Sequence, residues 1–503
     1  MQHRILLPSI LVFIAAGCGL IAGCGNIEDG IIVQPPKEQT DTGGKERSQA
    51  ATRNPIIDEL QKEILKNASD KYNFAPSLLN FSSSAIFDDD LRKEQFELLG
   101  VAPNAERGDL APFLEWASGK EAPEKLASDL QNATTRTWDP AEFPLVDQWL
   151  SSLEPRLYEL QFYPRHSCCV AFPLAENGPL LDGVFQQHLI ALKAMNDALL
   201  ASALRKTESA NNRVDINDLL LALELSDLYT EGPLTIDYVF GLKESEEVYR
   251  AMSHFVLTRS LSTMELEQFK KGVKGLGKIT PTPYVVEARE KYRIQAAAYA
   301  LQYKLLKDPA YLEEVGFNEE LLALQELDED EEFWRMVRVS IESNLGRFTA
   351  PVVFASPQQK EAKIKEYLEF LELSSAPDDP DFERNKRREA ERVALKMIRV
   401  MFPKVEKIID QEMRTFAARS ACQITIELML YKQKNGRFPG QLDELPDDEK
   451  LKILRSDPYR EEALVFKSLG DKFQLYSVGP NGKDDGGSPN SDDFYLIDGS
   501  YWR

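Results

Sequence analysis

The hydrophobic positions between Ile56 and about Asn435 recur mainly with the period of an α-helix. In residues 189–203 the apolar positions fall close to one face of a helix: Leu189, Leu192, Met195, Leu199 and Ala203. Short polar turns separate successive apolar stretches, which is typical of antiparallel helical hairpins. No repeat of about 34 residues recurs, so a tetratricopeptide array is excluded. The pattern predicts a helical body over residues 56–375.

Proline and glycine indicate where several of these helices begin. Gly232-Pro233 precedes an apolar helix that continues through Phe255. The break at Pro281–Pro283 precedes a second predicted helix, around Val286–Leu305. The body is therefore predicted to be a series of helices of ordinary length.

The period of the pattern changes from helical to alternating after Asn435-Gly436, where glycine favours a helix end. Leu464–Phe466 and Phe473–Val478 flank a Gly-Asp turn and predict a β-hairpin. Phe494–Ile497 predicts a third strand.

The predicted fold class is mainly α. A linker and helix at residues 376–410, kinked at Pro403, lead from the helical-hairpin body to a C-terminal tail. The tail, residues 411–503, is predicted to be a small α+β subdomain with one helix and a three-stranded antiparallel sheet.

The N-terminus has the pattern of an export signal. His3 and Arg4 precede an almost unbroken apolar run over Ile5–Leu20, and small residues then precede Cys24. The segment Leu20–Cys24, LIAGC, resembles the lipobox of bacterial lipoproteins. The resemblance implies removal of residues 1–23 and attachment of acyl chains, including palmitate, to the new N-terminal cysteine.

Cys18 is a second candidate for lipidation, although Ala stands where the lipobox prefers Leu, Val or Ile. An uncleaved transmembrane anchor is the other alternative. Residues 24–55 follow and are rich in Gly, Pro, Gln and Thr, so they are predicted to form a flexible tether. The predicted location is the cell envelope, with the chain facing the periplasm or the cell exterior.

The formal net charge of −22 excludes a nucleic-acid binder, because phosphate contacts require a basic surface. Cys168, Cys169 and Cys422 remain after Cys24. Either Cys422 pairs with one of the adjacent cysteines in an oxidising envelope, or all three are buried thiols.

Motifs for catalysis are weak. His166, His188 and His254 lack the spacing of a zinc protease. The glycines of Gly272–Lys278 are spaced as in a phosphate-binding loop, but Ile279 replaces the Ser or Thr that holds magnesium. That segment is predicted to be a flexible basic turn, and no catalytic residue is assigned.

The tail resembles the C-terminal domain of the major pseudopilins of type II secretion. The similarity covers about 80 residues, and its motifs include YKQKNGRFP from Tyr431, Asp457-Pro458 and LYSVGPNG from Leu475. In that family a Gly-rich loop binds calcium, so the resemblance implies a calcium loop at Asn481–Asp493.

Independently of the resemblance, this loop supplies hard oxygen ligands of the kind that Ca²⁺ prefers. The candidate ligands are Asn481, Asp484, Asp485, Asn490, Asp492 and Asp493. The family usually has Asp at the position of Asn481, and Lys483 brings a positive charge nearby. A solvated turn without calcium is therefore the alternative.

The body resembles long helical proteins of planctomycete-type bacteria that carry the same kind of tail. The resemblance rests on the segments at Phe143–Leu150, Arg213–Leu220 and Gly232–Asp237, and it implies no activity. The predicted function is a non-enzymatic binding or scaffolding role with an envelope protein as partner. The alternatives are an envelope hydrolase built from carboxylates and an accessory component of a type II secretion-like system.

Overall fold

The computed structural model describes a large part of the chain. It covers some positions of 55–62, and residues 113–117, 123–161, 187–206, 212–232, 234–276, 279–303, 321, 323–326, 331–375, 386–446, 454–460, 462–487 and 494–497. The helices are α1 (Pro123–Thr135), α2 (Pro144–Leu160), α3 (Gln187–Leu204), α4 (Asn212–Thr230), α5 (Thr235–Thr258), α6 (Thr263–Gly275), α7 (Thr282–Gln302), α8 (Glu331–Val353), α9 (Pro357–Ser375), α10 (Lys386–Met401) and α11 (Val405–Asn435).

Short helical segments accompany them in the described ranges, including helical positions within 55–62. Phe113–Trp116 forms one α-helical turn, and Ala323–Glu326 and Leu442–Glu444 form 3₁₀ turns. A small antiparallel sheet follows α11. The prediction of a mainly helical protein with a small C-terminal sheet is confirmed.

The sheet is centred on β2, Lys472–Ser477, which pairs antiparallel with β1, Val465–Leu469. Val465 lies opposite Tyr476 in this hairpin. β3, Phe494–Ile497, lies along the other edge of β2, with a register shift between Leu475 and Tyr476. One face of the sheet packs on α11 through Phe473 and Leu475.

The buried side chains form three main hydrophobic clusters. The first lies among α1–α6, the second among α5 and α7–α11, and the third between α11 and the sheet. α11 contributes to all three, through Cys422 in the first, Ile408 in the second and Leu428 in the third. This helix therefore joins the body and the tail through continuous packing.

The ends of α11 follow from its sequence. Pro403 lies between α10 and α11, where its ring is incompatible with a continuous helix. Gly436 ends α11 with φ 73°, in the left-handed region that glycine adopts with little strain. The predicted kink at Pro403 is a complete break between two helices, and the predicted glycine cap is confirmed. The predicted tail boundary, residue 411, lies inside this helix.

The prediction of a flexible basic turn at Gly272–Lys278 was wrong for residues 272–275, which form the last turn of α6. The helix starts with a capping box in which Ser262 and Glu265 satisfy each other's backbone N–H groups. A Cβ atom at Gly272 would lie 2.5 Å from Leu220 Cδ1, so close packing explains this glycine. Gly277 and Lys278 lie outside the described residues.

Two arginines of the body bind backbone carbonyl groups at the ends of neighbouring helices. Arg259 follows α5 and donates to the carbonyl oxygen of Arg205, at the end of α3, at 2.6 Å. Arg289 of α7 donates to the carbonyl oxygens of Thr230 at 2.6 Å and Leu234 at 2.9 Å, between α4 and α5. The carbonyl groups of Arg205 and Thr230 lie at C-terminal helix ends, where the last carbonyl groups have no partner within the helix. The Leu234 carbonyl lies at the start of α5, where it also accepts the backbone N–H of Asp237.

The contact between α4 and α5 is close because Gly241 has no side chain. A Cβ atom at Gly241 would lie 2.5 Å from the backbone nitrogen of Thr230. Gly241→Ala should therefore destabilise the protein by about 1–3 kcal/mol, since the two helices must separate. Chemical denaturation of the full chain measures this change.

The matched control is Gly346→Ala in α8, where a Cβ atom meets only Glu287 Oε1, at 3.4 Å. That variant should gain up to about 1 kcal/mol from its higher helix propensity. Equal stability of Gly241→Ala and the wild type would contradict the close approach of α4 and α5.

Candidate functional site

The Gly-rich loop begins directly after β2 and turns through residues 479–487. Gly482 has φ 68°, a value that favours glycine. The side chains of Asn481, Asp484 and Asp485 are all on exposed residues of this turn. The structure thus brings three of the six predicted calcium ligands into one exposed segment.

Hydrogen bonds within the loop organise these oxygens. Asp484 Oδ1 accepts from the backbone N–H of Gly486 and from the Tyr476 hydroxyl, both at 2.9 Å. These two donors, the Gly486 N–H first, hold the pKa of Asp484 below its usual value. Asn481 Nδ2 donates to Asp485 Oδ2 at 3.1 Å. The loop is therefore ordered by its own polar contacts.

The other predicted sites fall largely outside the described residues. They are Asn490, Asp492, Asp493, Cys18, Cys24, Cys168, Cys169 and His166, together with the side chain of His188. Cys422 is a buried free thiol in α11, and burial raises its pKa to about 12. The structure thus gives the second of the two expectations for Cys422, a buried thiol and not a disulfide.

His254 is a partnered histidine in α5. Its Nε2 accepts the backbone N–H of Thr137 at 2.8 Å, and the Thr137 hydroxyl lies at the same distance. Burial, helped by the charges of Arg136 and Lys206, lowers the pKa of His254 to about 4. A hydroxyl beside an imidazole is an arrangement used in nucleophilic catalysis. Here the single Nε2 lone pair already accepts a backbone N–H, so a structural role fits better.

Two carboxylates lie at the junction of α2, α3, α4 and α5; we call Asp215 and Asp218 the junction carboxylates. Asp215 Oδ2 lies 3.7 Å from Arg259 Nη2, and burial still raises its pKa to about 6. Asp218 is 4% exposed and accepts from Gln161 Nε2 at 3.1 Å and from the Ser202 hydroxyl at 3.5 Å. Burial raises the pKa of Asp218 to about 7.

A second polar group is buried between α3, α4 and α5; we call Lys193, Asn196, Asp197, Glu244 and Glu247 the buried ammonium cluster. Lys193 Nζ lies 2.9 Å from Asp197 Oδ1, 3.3 Å from Glu244 Oε1 and 3.7 Å from Glu247 Oε2. One ammonium group thus contacts three carboxylates, of which Glu244 is the most deeply buried.

Sequence reasoning missed both groups, although a signal for the second was present. Within α3 from Leu189 to Leu204, the only strongly polar positions are Lys193, Asn196 and Asp197. A helix that is apolar on all sides is buried, so its few polar residues need partners within the protein. The partner Glu244 could not be identified, because it lies on a helix about 50 residues further along.

Within the described ranges, no group of three or more His, Cys, Asp or Glu residues is arranged to hold a metal ion. The helices in those ranges also include none that is both long and apolar enough to cross a membrane.

Comparison with protein-family models, curated proteins and solved structures gave no match to this chain. Its chemistry is therefore inferred from its own residues and contacts.

Asp218 should make the stability of the protein depend on pH. Because its pKa is raised on folding, its carboxyl group stabilises the fold below about pH 4, and this stabilisation is lost as the pH rises through about 7. At roughly 1.4 kcal/mol for each pKa unit, the ionised form costs up to about 4 kcal/mol. Asp218→Asn should therefore stabilise the protein at about pH 8 and change little near pH 4.

Denaturant unfolding of the full chain at several pH values tests this expectation. Asp443→Asn, at a side chain that is 90% exposed, is the matched control and should keep the wild-type profile. Asp218→Asn destabilised equally at every pH would mean that the carboxyl group acts only through its hydrogen bonds.

Proposed function

We propose that the chain is a lipid-anchored cell-envelope protein with a non-enzymatic binding or scaffolding role. A lipid on Cys24 attaches it to the membrane, and the helical body with its tail faces the periplasm or the cell exterior. Its partner is a protein of the envelope, and nucleic acid is not a ligand.

The observation that carries this proposal is the rigid junction of the tail with the body. The Thr415 hydroxyl of α11 donates to the carbonyl oxygen of Leu242 in α5 at 2.9 Å. Ten or so residues further along α11, Ile424 and Leu428 pack against the tail sheet. A protein that positions partners needs fixed geometry between its parts, and a continuous helix supplies it.

A second contact holds the start of the Gly-rich loop. Asp457 accepts hydrogen bonds from the Ser477 hydroxyl at 2.8 Å and from the Val478 N–H at 2.9 Å, at the end of β2. Two residues after Asp457, the Tyr459 hydroxyl donates to Asp410 Oδ1 of α11 at 2.5 Å. The loop is thereby connected to the helix that the body and tail share.

The proposal includes calcium as a stabilising ligand of this loop. Exposed carboxylate and amide oxygens at Asn481, Asp484 and Asp485 supply part of a site for a hard cation. The remaining ligands would come from Asn490, Asp492 and Asp493. The resemblance to pseudopilins supports the same assignment.

Calcium should raise the melting temperature of the full chain by a few degrees at about 5 mM, because it binds the folded loop. Asp485→Asn removes one charge from the loop and should weaken this effect. Magnesium at the same concentration is the control, since it prefers a stricter octahedral site. An unchanged melting temperature in calcium would leave the solvated turn as the correct interpretation.

Lipidation at Cys24 is tested by metabolic labelling with palmitate. Cys24→Ala should lose the label and leave the membrane fraction, whereas Cys18→Ala should keep both properties. Label that remains on Cys24→Ala but disappears from Cys18→Ala would move the anchor to Cys18. Absence of label from the wild type would contradict the envelope location itself.

The partner is sought by cross-linking and affinity capture of the anchored wild-type chain from envelope extracts, with Cys24→Ala as the control bait. We expect one envelope protein to be enriched over the control. Enrichment of a secretion component would favour the alternative of an accessory part in a type II secretion-like system. No enrichment would count against a binding role.

The second candidate function, an envelope hydrolase, is favoured by the junction carboxylates. A neutral acid beside an ionised carboxylate is a common arrangement for acid–base hydrolysis, and the raised pKa values of Asp215 and Asp218 suit it. Both side chains are largely buried between helices, which favours the structural role. Hydrolysis of an envelope polymer by the wild type but not by Asp218→Asn would reverse this preference.

A further inference from the structure

The buried ammonium cluster contains more negative than positive charge. Lys193 contacts Asp197, Glu244 and Glu247, and Lys243 adds a second positive charge that acts on Asp197. Three carboxylates therefore face two ammonium groups. A single proton would restore neutrality, and neutrality matters because charge is costly to bury.

The groups that face Glu244 come from three helices. Lys193, Asn196 and Asp197 belong to α3, Ser226 belongs to α4, and Lys243 and Glu247 share α5 with Glu244. Glu247 is half-buried, whereas Glu244 is 1% exposed. Water can stabilise the charge of Glu247 but hardly that of Glu244. Burial also raises the pKa of Asp197, but Asp197 is more exposed than Glu244 and lies closer to Lys193, so Glu244 is the group that takes the proton.

Asn196 is placed to accommodate both forms of Glu244. It is fully buried, and its Nδ2 donates to Ser226 Oγ at 3.0 Å and to Glu244 Oε2 at 3.3 Å. Its Oδ1 has no hydrogen-bond partner among the described residues. Rotation of the Asn196 amide group exchanges the positions of Nδ2 and Oδ1. In one orientation Nδ2 donates to the ionised carboxylate of Glu244, and in the other Oδ1 accepts from its protonated carboxylic acid.

We propose that the buried ammonium cluster is a proton-operated contact between α3, α4 and α5: uptake of one proton by Glu244 tightens the packing of these helices, and its release loosens them. The first hydrophobic cluster lies on the same three helices, so the packing of the body responds to the pH of its compartment. This inference does not depend on the proposed envelope function.

The pKa of Glu244 changes on folding in the direction that this proposal requires. Burial raises the pKa of Glu244 to about 7, and Lys193 only partly opposes the effect. The folded state therefore holds the proton more tightly than the unfolded state. Stabilisation is complete below the ordinary value of 4.5 and is lost as the pH rises through about 7.

His254 makes the stability of the fold depend on pH in the opposite direction to Glu244. Its pKa is lowered from 6.5 to about 4, so its contribution is present above about pH 6.5 and is lost as the pH falls through about 4. The wild-type profile combines these two effects with those of Asp197, Asp215 and Asp218. The contribution of Glu244 is therefore measured as a difference between variants.

The main test compares the wild type with Glu244→Gln by denaturant unfolding of the full chain between about pH 5 and pH 8. The ratio of their unfolding equilibrium constants should change roughly 50- to 100-fold over this range, because one linked proton changes the constant up to tenfold per pH unit. Glu342→Gln, at a side chain that is 61% exposed, is the matched control and should give a constant ratio.

Infrared difference spectroscopy detects the protonated carboxyl group directly. Asp218 also carries a proton in this pH range, so the band of Glu244 is read from the difference between the wild type and Glu244→Gln. This difference should contain a carboxylic-acid C=O band that disappears near neutral pH. Should Glu244→Gln fail to fold, Glu247→Gln is the second variant, since Glu247 is half-buried at the edge of the cluster. It removes a neighbouring negative charge, so the midpoint of the band should move to lower pH. A pH-independent ratio, absence of the band or an unmoved midpoint would overturn the proposal.

Discussion

The packing of α11 against α5 is the contact on which the other parts of the described structure depend. α5 contributes to two of the main hydrophobic clusters, and α11 contributes to all three. A buried ion pair of 2.7 Å between Lys270 and Glu427 adds a contact from α6 to α11. The tail sheet then packs on the remaining surface of α11. Loss of this helix would expose apolar surface in both the body and the tail.

Buried charge in this protein is used mainly to hold helices in place. Arg259 and Arg289 bind the carbonyl groups at helix ends, and Asp457 binds N–H groups at the end of a strand. In each of these contacts the charged side chain lies against groups of opposite polarity. The buried ammonium cluster and Asp218 differ, because their negative charge exceeds what the surrounding groups compensate. Protonation is the simplest way to restore the balance.

Local patterns in the sequence were sufficient for the fold class, the hairpin and the end of α11 at Gly436, since each depends on neighbouring residues. They were insufficient at Gly272, which lies inside a helix and is a glycine that leaves space for the Leu220 side chain of another helix. The candidate calcium ligands were recognisable because they are polar and lie close together in the sequence. Glu244 was not, because its environment comes from helices that are distant in sequence. Burial of single charges is a tertiary property, and composition does not reveal it.

The shared helix also has a consequence for the order of synthesis. Thr415 and Leu242, which join α11 to α5, are separated by 173 positions along the chain. A ribosome makes the N-terminal half of the protein first, so α5 must wait for α11 before its apolar surface can be covered. Until then the nascent polypeptide has an incomplete interior. For most of its translation, the chain can therefore be bound by chaperones or by translocation machinery that accepts unfolded chains.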